Sequence, residues 1–148
     1  MAGDSNAARV RRWLMGCGAI DAGKRFGVDW LGDEPAEYAL ITVPSGLRWT
    51  ENIVGQRRLK GEQAQDFIFA VQAFYGADTP RSLENLAFCQ AVTDWIVDRN
   101  AAGDFPEWEG GVVTGVTPTL TGAPVAWGTG AARYQIQIRV TYKINQEE

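Results

Sequence analysis

The most regular hydrophobic pattern in this chain is the run RYQIQIRVTYKI at residues 133–144. Apolar and polar side chains alternate without interruption from Tyr134 to Ile144. Because successive side chains of a β-strand point to opposite faces of its sheet, this period of two predicts a strand with one buried face. A strand this regular indicates a stiff sheet as the scaffold of the fold.

The first predicted helix runs from about Asp4 to Cys17 and is capped by Asp4 or Ser5. Its apolar residues recur at a spacing of three and four, which predicts one buried stripe: Val10, Trp13, Leu14 and Cys17. Three arginines interleave with this stripe: Arg9, Arg11 and Arg12. They form either a solvated face or a contact for an acidic partner or DNA, and both interpretations stay open.

The second predicted helix begins at Asp78 or Thr79 and runs to about Asn100, ahead of Gly103. Pro80 suits its first turn. The predicted apolar stripe, with two aromatic residues beside it, indicates packing against a core: Leu83, Leu86, Cys89 (or Gln90), Val92 and Ile96, with Phe88 and Trp95 alongside.

Several strands are predicted between the helices. The short apolar runs FGVDWL and EYALITVPS are separated by the turn-forming residues GDEPAE. The runs LRWTENIV and EQAQDFIFAVQAFYG predict a long hairpin whose tip holds Arg57, Arg58 and Lys60. Its second arm is apolar on both faces, which is typical of a strand inside a sheet. The charged tip is either a solvated turn or an arm that contacts a neighbouring molecule.

Residues 104–131 are rich in Gly, Pro and Thr, and we expect a surface loop region there. The alternation from Val112 to Leu120 allows a strand in which Pro118 lies at an edge or a bulge. The following residues, TGAPVAWGTGAA, predict a loop that leads into the last strand. The whole order of elements predicts a single α+β domain over residues 1–148. We expect a mixed or antiparallel sheet with a long β-hairpin and two main helices packed on one face.

Composition excludes several functions. The 148 residues carry a formal net charge of -4, so no global field attracts nucleic acid. Histidine is absent, which excludes a Ser-His-Asp triad, a Cys-His pair and a His-ligated metal. The two cysteines, Cys17 and Cys89, lie within helical patterns and predict buried thiols rather than a disulfide.

The sequence has no recognisable motif for membrane insertion, targeting, nucleotide binding or catalysis. No run approaches the roughly 18 apolar residues of a membrane span, and no targeting segment is evident, so we expect a chain that is cytosolic when made. The basic hairpin has no Walker spacing, and GTG before Ala131 lacks a dinucleotide-binding context. The carboxylates indicate surface charges: Asp94, Asp98, Asp104, Glu107 and Glu109. We therefore predict no enzyme activity, no cofactor and no metal site.

Four tryptophans lie outside the predicted helices, each in or beside a turn rich in glycine or proline: Trp30, Trp49, Trp108 and Trp127. One or two such residues are normal covers of a core. Because tryptophan is enriched at protein interfaces, four of them predict that other subunits cover part of this surface.

Several segments of this sequence, taken in their order along the chain, resemble the corresponding segments of the tail terminator (tail completion) proteins of long-tailed bacteriophages. The resemblance extends from about Val28 to Tyr142 and depends on VDWLGDEPAEYAL, FYG, NLAFCQAVTDWI with RN, FPEW and ARYQIQIRVTY. It implies an α+β subunit whose copies, typically six, close into a ring on the tail tube. The ring stops tube polymerisation and offers a docking surface to the head connector, and DNA passes through its lumen.

The resemblance also implies a virion protein of the tail, assembled in the host cytoplasm, with no catalysis and no cofactor. Its expected partners are copies of itself, the tail tube protein and the head-tail connector or neck proteins. Together with the tryptophan pattern, it suggests these interface residues: Trp49, Ile53, Arg57, Arg58, Lys60, Asp104, Trp108 and Trp127. The glycine-rich segment from Thr114 to Gly130 is longer than the family pattern.

Other interpretations stay open on the sequence alone. A head-tail connector or a tube subunit would share much of this pattern. A small ligand-binding or transferase-like α+β domain is compatible with the aromatic content, because a fold does not determine a function. A nucleic-acid module would depend on the basic residues of the first helix and the hairpin.

Overall fold

The computed structural model of the chain describes residues 5–20, 23, 26–29, 38–44, 46–59, 61–74, 79–128 and 131–144. These residues form two helices and seven strands. In chain order they are α1 (Asn6–Leu14), β1 (Phe26–Val28), β2 (Tyr38–Thr42), β3 (Trp49–Glu51), β4 (Arg57–Leu59), β5 (Glu62–Phe74), α2 (Thr79–Ala102), β6 (Gly111–Gly128) and β7 (Ala131–Ile144).

The main sheet has five strands in the order β1-β2-β5-β7-β6. β1 and β2 are parallel, and the other three pairs are antiparallel. β6 and β7 form a long hairpin, and β5 lies between β2 and β7. The structure confirms the predicted α+β fold with a mixed sheet, and its long β-hairpin is formed by β6 and β7.

Both helices pack on the same face of this sheet. Residues of β5 and β7 that alternate along their strands meet across the ladder, as in the pairs Phe67–Ile138 and Phe69–Ile136. They join one buried cluster with the helix residues, in which the least exposed are Val10, Leu14, Leu40, Phe69, Val92, Ile96, Val116, Ile136, Ile138 and Val140. The predicted alternation of the last strand is confirmed, since this face of β7 is buried and Arg139 and Lys143 on the other face are exposed.

The helix boundaries differ slightly from the prediction. Ser5 caps α1, and its Oγ accepts a hydrogen bond from the backbone N–H of Ala8 at 3.1 Å. α2 ends at Ala102, and Gly103 follows with φ +72°, a left-handed conformation that suits glycine after a helix. The buried part of its stripe is Cys89, Val92 and Ile96.

The apolar stripe predicted for α2 is wrong in its first half. Leu83 and Leu86 are 61% and 44% exposed, although their spacing fits the stripe. The helix meets the sheet further along, where Ile96 is buried and Asn100 bonds to β6. Periodicity identifies the apolar face of a helix, but it does not say how much of the helix length is covered.

The pairing predicted between residues 47–54 and 62–76 is also wrong. β5 pairs with β2 and β7, while β3 and β4 pair with each other in a separate two-stranded sheet. The turn of this small hairpin contains Asn52 and Gly55, so Arg57 and Arg58 lie on β4 rather than at a tip. Pairing with β7 buries the apolar face of β5 in the core. Pairing with residues 47–54 would not bury it, because those residues are exposed. Lys60 lies outside the described residues.

The loop region predicted over residues 104–131 is largely a strand. Residues 103–110 lie between α2 and β6, and β6 extends to Gly128. Four register shifts interrupt its pairing with β7, and each lets the strand absorb extra residues without leaving the sheet. The prediction for Pro118 is confirmed, because it lies on an edge strand next to one of these shifts.

Candidate interaction surface

The small hairpin projects from the body of the molecule, and we call residues 47–59 the arm. Its strands pair antiparallel through Trp49–Leu59, Thr50–Arg58 and Glu51–Arg57. All residues of the arm are exposed except Leu59, which is half-buried. A two-stranded hairpin is marginal in water, so this arm requires devices that hold its shape.

Asn52 organises the turn of the arm. Its Oδ1 accepts hydrogen bonds from the backbone N–H groups of Val54 (3.1 Å) and Gln56 (2.9 Å). Its Nδ2 donates to Oε1 of Gln56 at 3.0 Å, and its own N–H donates to the Gln56 carbonyl at 3.0 Å. Gly55 takes φ +82°, which the turn requires and which glycine adopts without strain. The turn is therefore specified by residues within five positions of one another.

Gln63 attaches the arm to the main sheet. Its side chain is almost completely buried, at 1% exposure. Its Oε1 accepts from the Arg48 N–H and its Nε2 donates to the Arg48 carbonyl, both at 2.8 Å. The amide thus reproduces the pair of bonds that a neighbouring strand would offer, and the base of the arm is fixed to β5.

The end of the arm is apolar and uncovered. Ile53 is fully exposed (104%), and Val54 is 76% exposed. Leu47 and Trp49 are about half exposed, and the Arg57 guanidinium lies 5.0 Å from the centre of the Trp49 ring. Contiguous exposed apolar residues on a rigid element mark an interaction site more often than isolated ones do.

A second surface lies at residues 104–110, which we call the acidic loop. It carries three exposed carboxylates, Asp104, Glu107 and Glu109. Hydrogen bonds to α1 fix its course: Trp13 Nε1 donates to the Asp104 carbonyl at 3.0 Å, and the Glu109 N–H donates to Asn6 Oδ1 at 2.8 Å. Its carboxylates are therefore presented from a fixed backbone.

A cavity of about 460 Å³ adjoins the acidic loop. Its aromatic residues contact one another, since the Trp108 ring centre lies 4.7 Å from that of Tyr142 and 6.4 Å from that of Phe67. Burial raises the pKa of the Tyr142 phenol. The cavity is lined by Ser5, Asn6, Ala7, Thr42, Val43, Pro44, Gln65, Phe67, Trp108 and Tyr142, none of which is a carboxylate or a cationic group.

Two arginines of α1 are used inside the chain. Arg11 Nε donates to the Phe26 carbonyl at 2.7 Å, and its guanidinium lies 5.4 Å from the Phe26 ring centre. Arg9 donates to Asn6 Oδ1 at 3.2 Å and lies 4.0 Å from the Glu109 carboxylate. These contacts position β1 and the acidic loop, and they leave less positive charge available for an external phosphate.

The structure groups the interface residues proposed from the sequence into two sets. Trp49, Ile53, Arg57 and Arg58 lie together on the arm. Asp104 belongs to the acidic loop, where its carboxylate bonds to Arg99 at 3.3 Å, while Trp108 is half-buried against its own core. Trp127 lies in β6, paired with Ala132, and its side chain is outside the description, as are Lys60 and Trp30.

Sequence reasoning missed four residues that define the arm. Leu47 and Val54 are exposed apolar residues, and Asn52 and Gln63 hold the structure in place. The asparagine three residues before Gly55 is a turn signal that could have located the true hairpin. No sequence signal distinguishes the buried amide of Gln63 from the exposed glutamines nearby.

Within the described ranges, no group of three or more His, Cys, Asp or Glu is placed to hold a metal ion. The helices of that same part of the chain include none that is both long and apolar enough to cross a membrane. A scan against models of protein families and a search of curated proteins both return no match for this chain.

Proposed function

We propose that this chain is a structural subunit of a bacteriophage tail terminator ring. In this role six copies close on the end of the tail tube, stop its polymerisation and present a docking surface to the head connector. The proposal has two supports: the resemblance of the sequence landmarks, and an α+β body that carries a projecting arm. It places the protein in the virion, at the neck end of the tail, without catalysis or a cofactor.

The observation that carries the proposal is the uncovered apolar end of the arm. Exposing Ile53 and Val54 to water is unfavourable by roughly 1.5–3 kcal/mol per side chain relative to burial. A chain that keeps such residues on a turn fixed by Asn52 has a surface suited to another protein. An assembly subunit requires such a surface, whereas an enzyme with a single interior site does not.

The charge of the chain is compatible with this role. DNA that passes through a lumen must slide, so strong attraction to phosphate would hinder it. The formal net charge of -4 and the use of Arg9 and Arg11 inside the chain both limit such attraction.

The direct test combines light scattering with electron microscopy. Purified chain is measured alone over a wide concentration range and then mixed with tail tubes of the phage that encodes it. We expect rings of about six copies, as in closed cyclic assemblies, either in solution or at the tube ends. A chain that stays monomeric and leaves the tubes uncapped would exclude this function.

The same images separate the closest alternative functions. Rings located only at the tube end support a terminator, density between the tube and the head supports a connector or neck protein, and incorporation along the tube supports a tube subunit.

The cavity beside the acidic loop favours a different candidate function, a small ligand-binding domain. Its volume of about 460 Å³ and its aromatic residues lie within the usual range of ligand pockets. Native mass spectrometry of the purified chain tests this candidate, because a bound small molecule would add mass to the monomer.

A further inference from the structure

The arm ends in apolar residues that its own chain does not cover. Arg48 is bonded to Gln63, and the turn at Asn52 lies four extended residues beyond it. At about 3.3 Å per residue, the end of the arm lies about 13 Å from this attachment. Because Ile53 is fully exposed at that distance, a second molecule is required to bury it.

The stem of the arm carries a net positive charge, since Arg48, Arg57 and Arg58 outnumber Glu51, which lies opposite Arg57 in the register. Arg57 and Arg58 are exposed on β4, and no carboxylate among the described residues lies within ion-pair distance of either. Neighbouring strand residues point to opposite faces, so Arg57 and Arg58 lie on opposite faces of the arm, and the Arg57 guanidinium lies over the Trp49 ring. A complementary partner surface therefore has an apolar hollow with carboxylates beside it.

This chain carries such a surface itself. The cavity offers Phe67, Trp108 and Tyr142 as an apolar lining. The acidic loop beside it presents exposed carboxylates at Glu107 and at Glu109, and the second of these also lies 4.0 Å from Arg9 of its own chain. The acidic loop is fixed to α1 through Asn6, which also lines the cavity, so Glu109 lies next to the cavity, while Glu107 lines an adjacent depression with Arg9 and Arg12.

We propose that the arm of one copy docks on the cavity and acidic loop of the neighbouring copy. Ile53 and Val54 fill the cavity, while Arg57 and Arg58 face Glu107 and Glu109. This inference rests on the proposed function, since it names the contact by which the copies assemble. The two surfaces are different, so the contact is heterologous, and its repetition closes a ring when the rotation between copies permits.

The outer edge of β6 is less suitable for joining copies. The N–H of Val116 is occupied by Asn100 Oδ1 at 3.0 Å, and Pro118, the next residue with the same orientation, has no N–H. Register shifts follow along the rest of the strand. These features block strand addition, so the arm is the better contact between copies.

Charge exchange tests the pairing. The variant Arg57→Glu with Arg58→Glu and the variant Glu107→Arg with Glu109→Arg each place like charges across the contact. We expect each to raise the dissociation constant of assembly about 100-fold. Combining all four changes in one chain restores opposite charges and returns the constant to within about tenfold of the wild type. The measurement is sedimentation equilibrium, or the fraction of capped tubes if copies assemble only there.

A matched control reverses charges elsewhere. Glu84→Lys with Asp98→Lys changes two exposed carboxylates of α2, and we expect assembly like that of the wild type. Circular dichroism confirms that each variant is folded. If the wild type assembles and both charge-reversed variants do so equally well, the contact is wrong while the proposed ring stands. If the wild type neither assembles nor caps tubes, both fail.

Cross-linking tests the apolar half of the contact. Val54→Cys and Pro44→Cys are prepared as separate chains and mixed, so that a mixed link joins two molecules. The native Cys17 and Cys89 are buried and give little background. We expect this pair to form disulfides about tenfold faster than Val54→Cys mixed with the control Leu83→Cys. Equal rates for the two mixtures would contradict docking of the arm in the cavity.

Discussion

At the scale of single residues, two side chains decide the shape of the arm. Asn52 closes its turn with its own amide, and Gln63 supplies the bonds that a missing strand would have made to Arg48. A buried amide with both ends bonded is stable, whereas loss of one partner leaves polar groups without compensation. The side chain of Gln63 therefore contributes to the orientation of the arm, together with the hydrogen bond from the Ile144 N–H to the Gly61 carbonyl at 2.8 Å.

Replacing Gln63 by Leu tests this dependence. The substitution keeps the volume close but removes both bonds to Arg48, so we expect a loss of about 1–2 kcal/mol in the free energy of unfolding. A looser arm also exposes the bonds after Arg57 and Arg58 to trypsin. Urea unfolding and the rate of native tryptic cleavage measure the two effects. The control is Gln90→Leu, whose amide bonds to Asp94 on an exposed helix face. Cleavage at an unchanged rate would refute the anchoring role.

Cys89 gives a pH dependence whose sign follows from burial. Desolvation raises the pKa of its thiol from 9.0 to about 11. The unfolded chain releases this proton at the lower pH, so the contribution to stability is complete below pH 9 and is lost between 9 and 11. We expect the stability advantage of the wild type over Cys89→Ala to shrink across that interval. Urea unfolding at pH 8 and at pH 11 measures it, and a constant difference would contradict the assignment.

At the scale of elements, β6 is an edge strand protected along its length. Asn100 from α2 occupies the outward N–H of Val116, and Pro118 removes the next donor. The register shifts then bend the strand away from regular pairing. Such devices keep an exposed sheet edge from adding strands of other molecules.

Removing the Asn100 side chain tests the contribution of this cap. Asn100→Ala leaves the Val116 N–H without its acceptor at the sheet edge, and we expect a loss of about 1 kcal/mol in the free energy of unfolding. Asn100→Asp is the matched control, because it retains an acceptor oxygen at the same position. Urea unfolding of the three chains provides the comparison. Equal stability of Asn100→Ala and the wild type would show that water satisfies this N–H equally well.

The sequence predicts some of these elements better than others. β7 follows from its unbroken alternation, and the buried half of α2 follows from its spacing. The second half of β6 could not be predicted, because each register shift inserts residues that destroy the period of two. The pairing of the arm could not be predicted, because residues 47–54 alternate like a half-buried strand although the folded chain leaves them exposed.

For the candidate site, the sequence does not show which apolar side chains the chain itself covers. Trp49, Ile53, Arg57 and Arg58 lie together on one projecting element, but their role in contacts stays a prediction. Trp108 looked equally exposed in sequence, yet it packs on Tyr142 of the last strand. A tryptophan beside glycines does not reveal whether its own chain or another covers it.

At the scale of the whole molecule, the sheet is strongly two-sided. One face carries both helices and the core, whereas the other carries polar groups such as the Asp66 carboxylate together with small apolar residues such as Ala70. Arg139 Nε bonds to Asp66 Oδ1 at 2.9 Å, and this hydrogen bond raises the pKa of the guanidinium. A charge is therefore tolerated on one face and excluded from the other.

A pair of substitutions to aspartate tests the difference between the faces. Ile138→Asp places a carboxylate at a completely buried position between Phe67 and Pro118, and we expect the chain to unfold. An unpaired buried charge costs roughly 3–5 kcal/mol, a large part of the 5–15 kcal/mol typical of a domain. Thr117→Asp is the control, since it lies exposed opposite Arg139. Thermal melts followed by circular dichroism distinguish them, and a folded Ile138→Asp chain would contradict the position of the core.

The residues that set the shape of the arm differ from those that form its apolar end. Asn52 and Gln63 set its geometry, whereas the side chains of Ile53 and Val54 take no part in holding it. In the proposed ring, substitutions at these two positions are expected to change which neighbouring subunit is accepted, without disturbing the remainder of the fold. Related subunits with the same architecture would then differ in the copies with which they assemble.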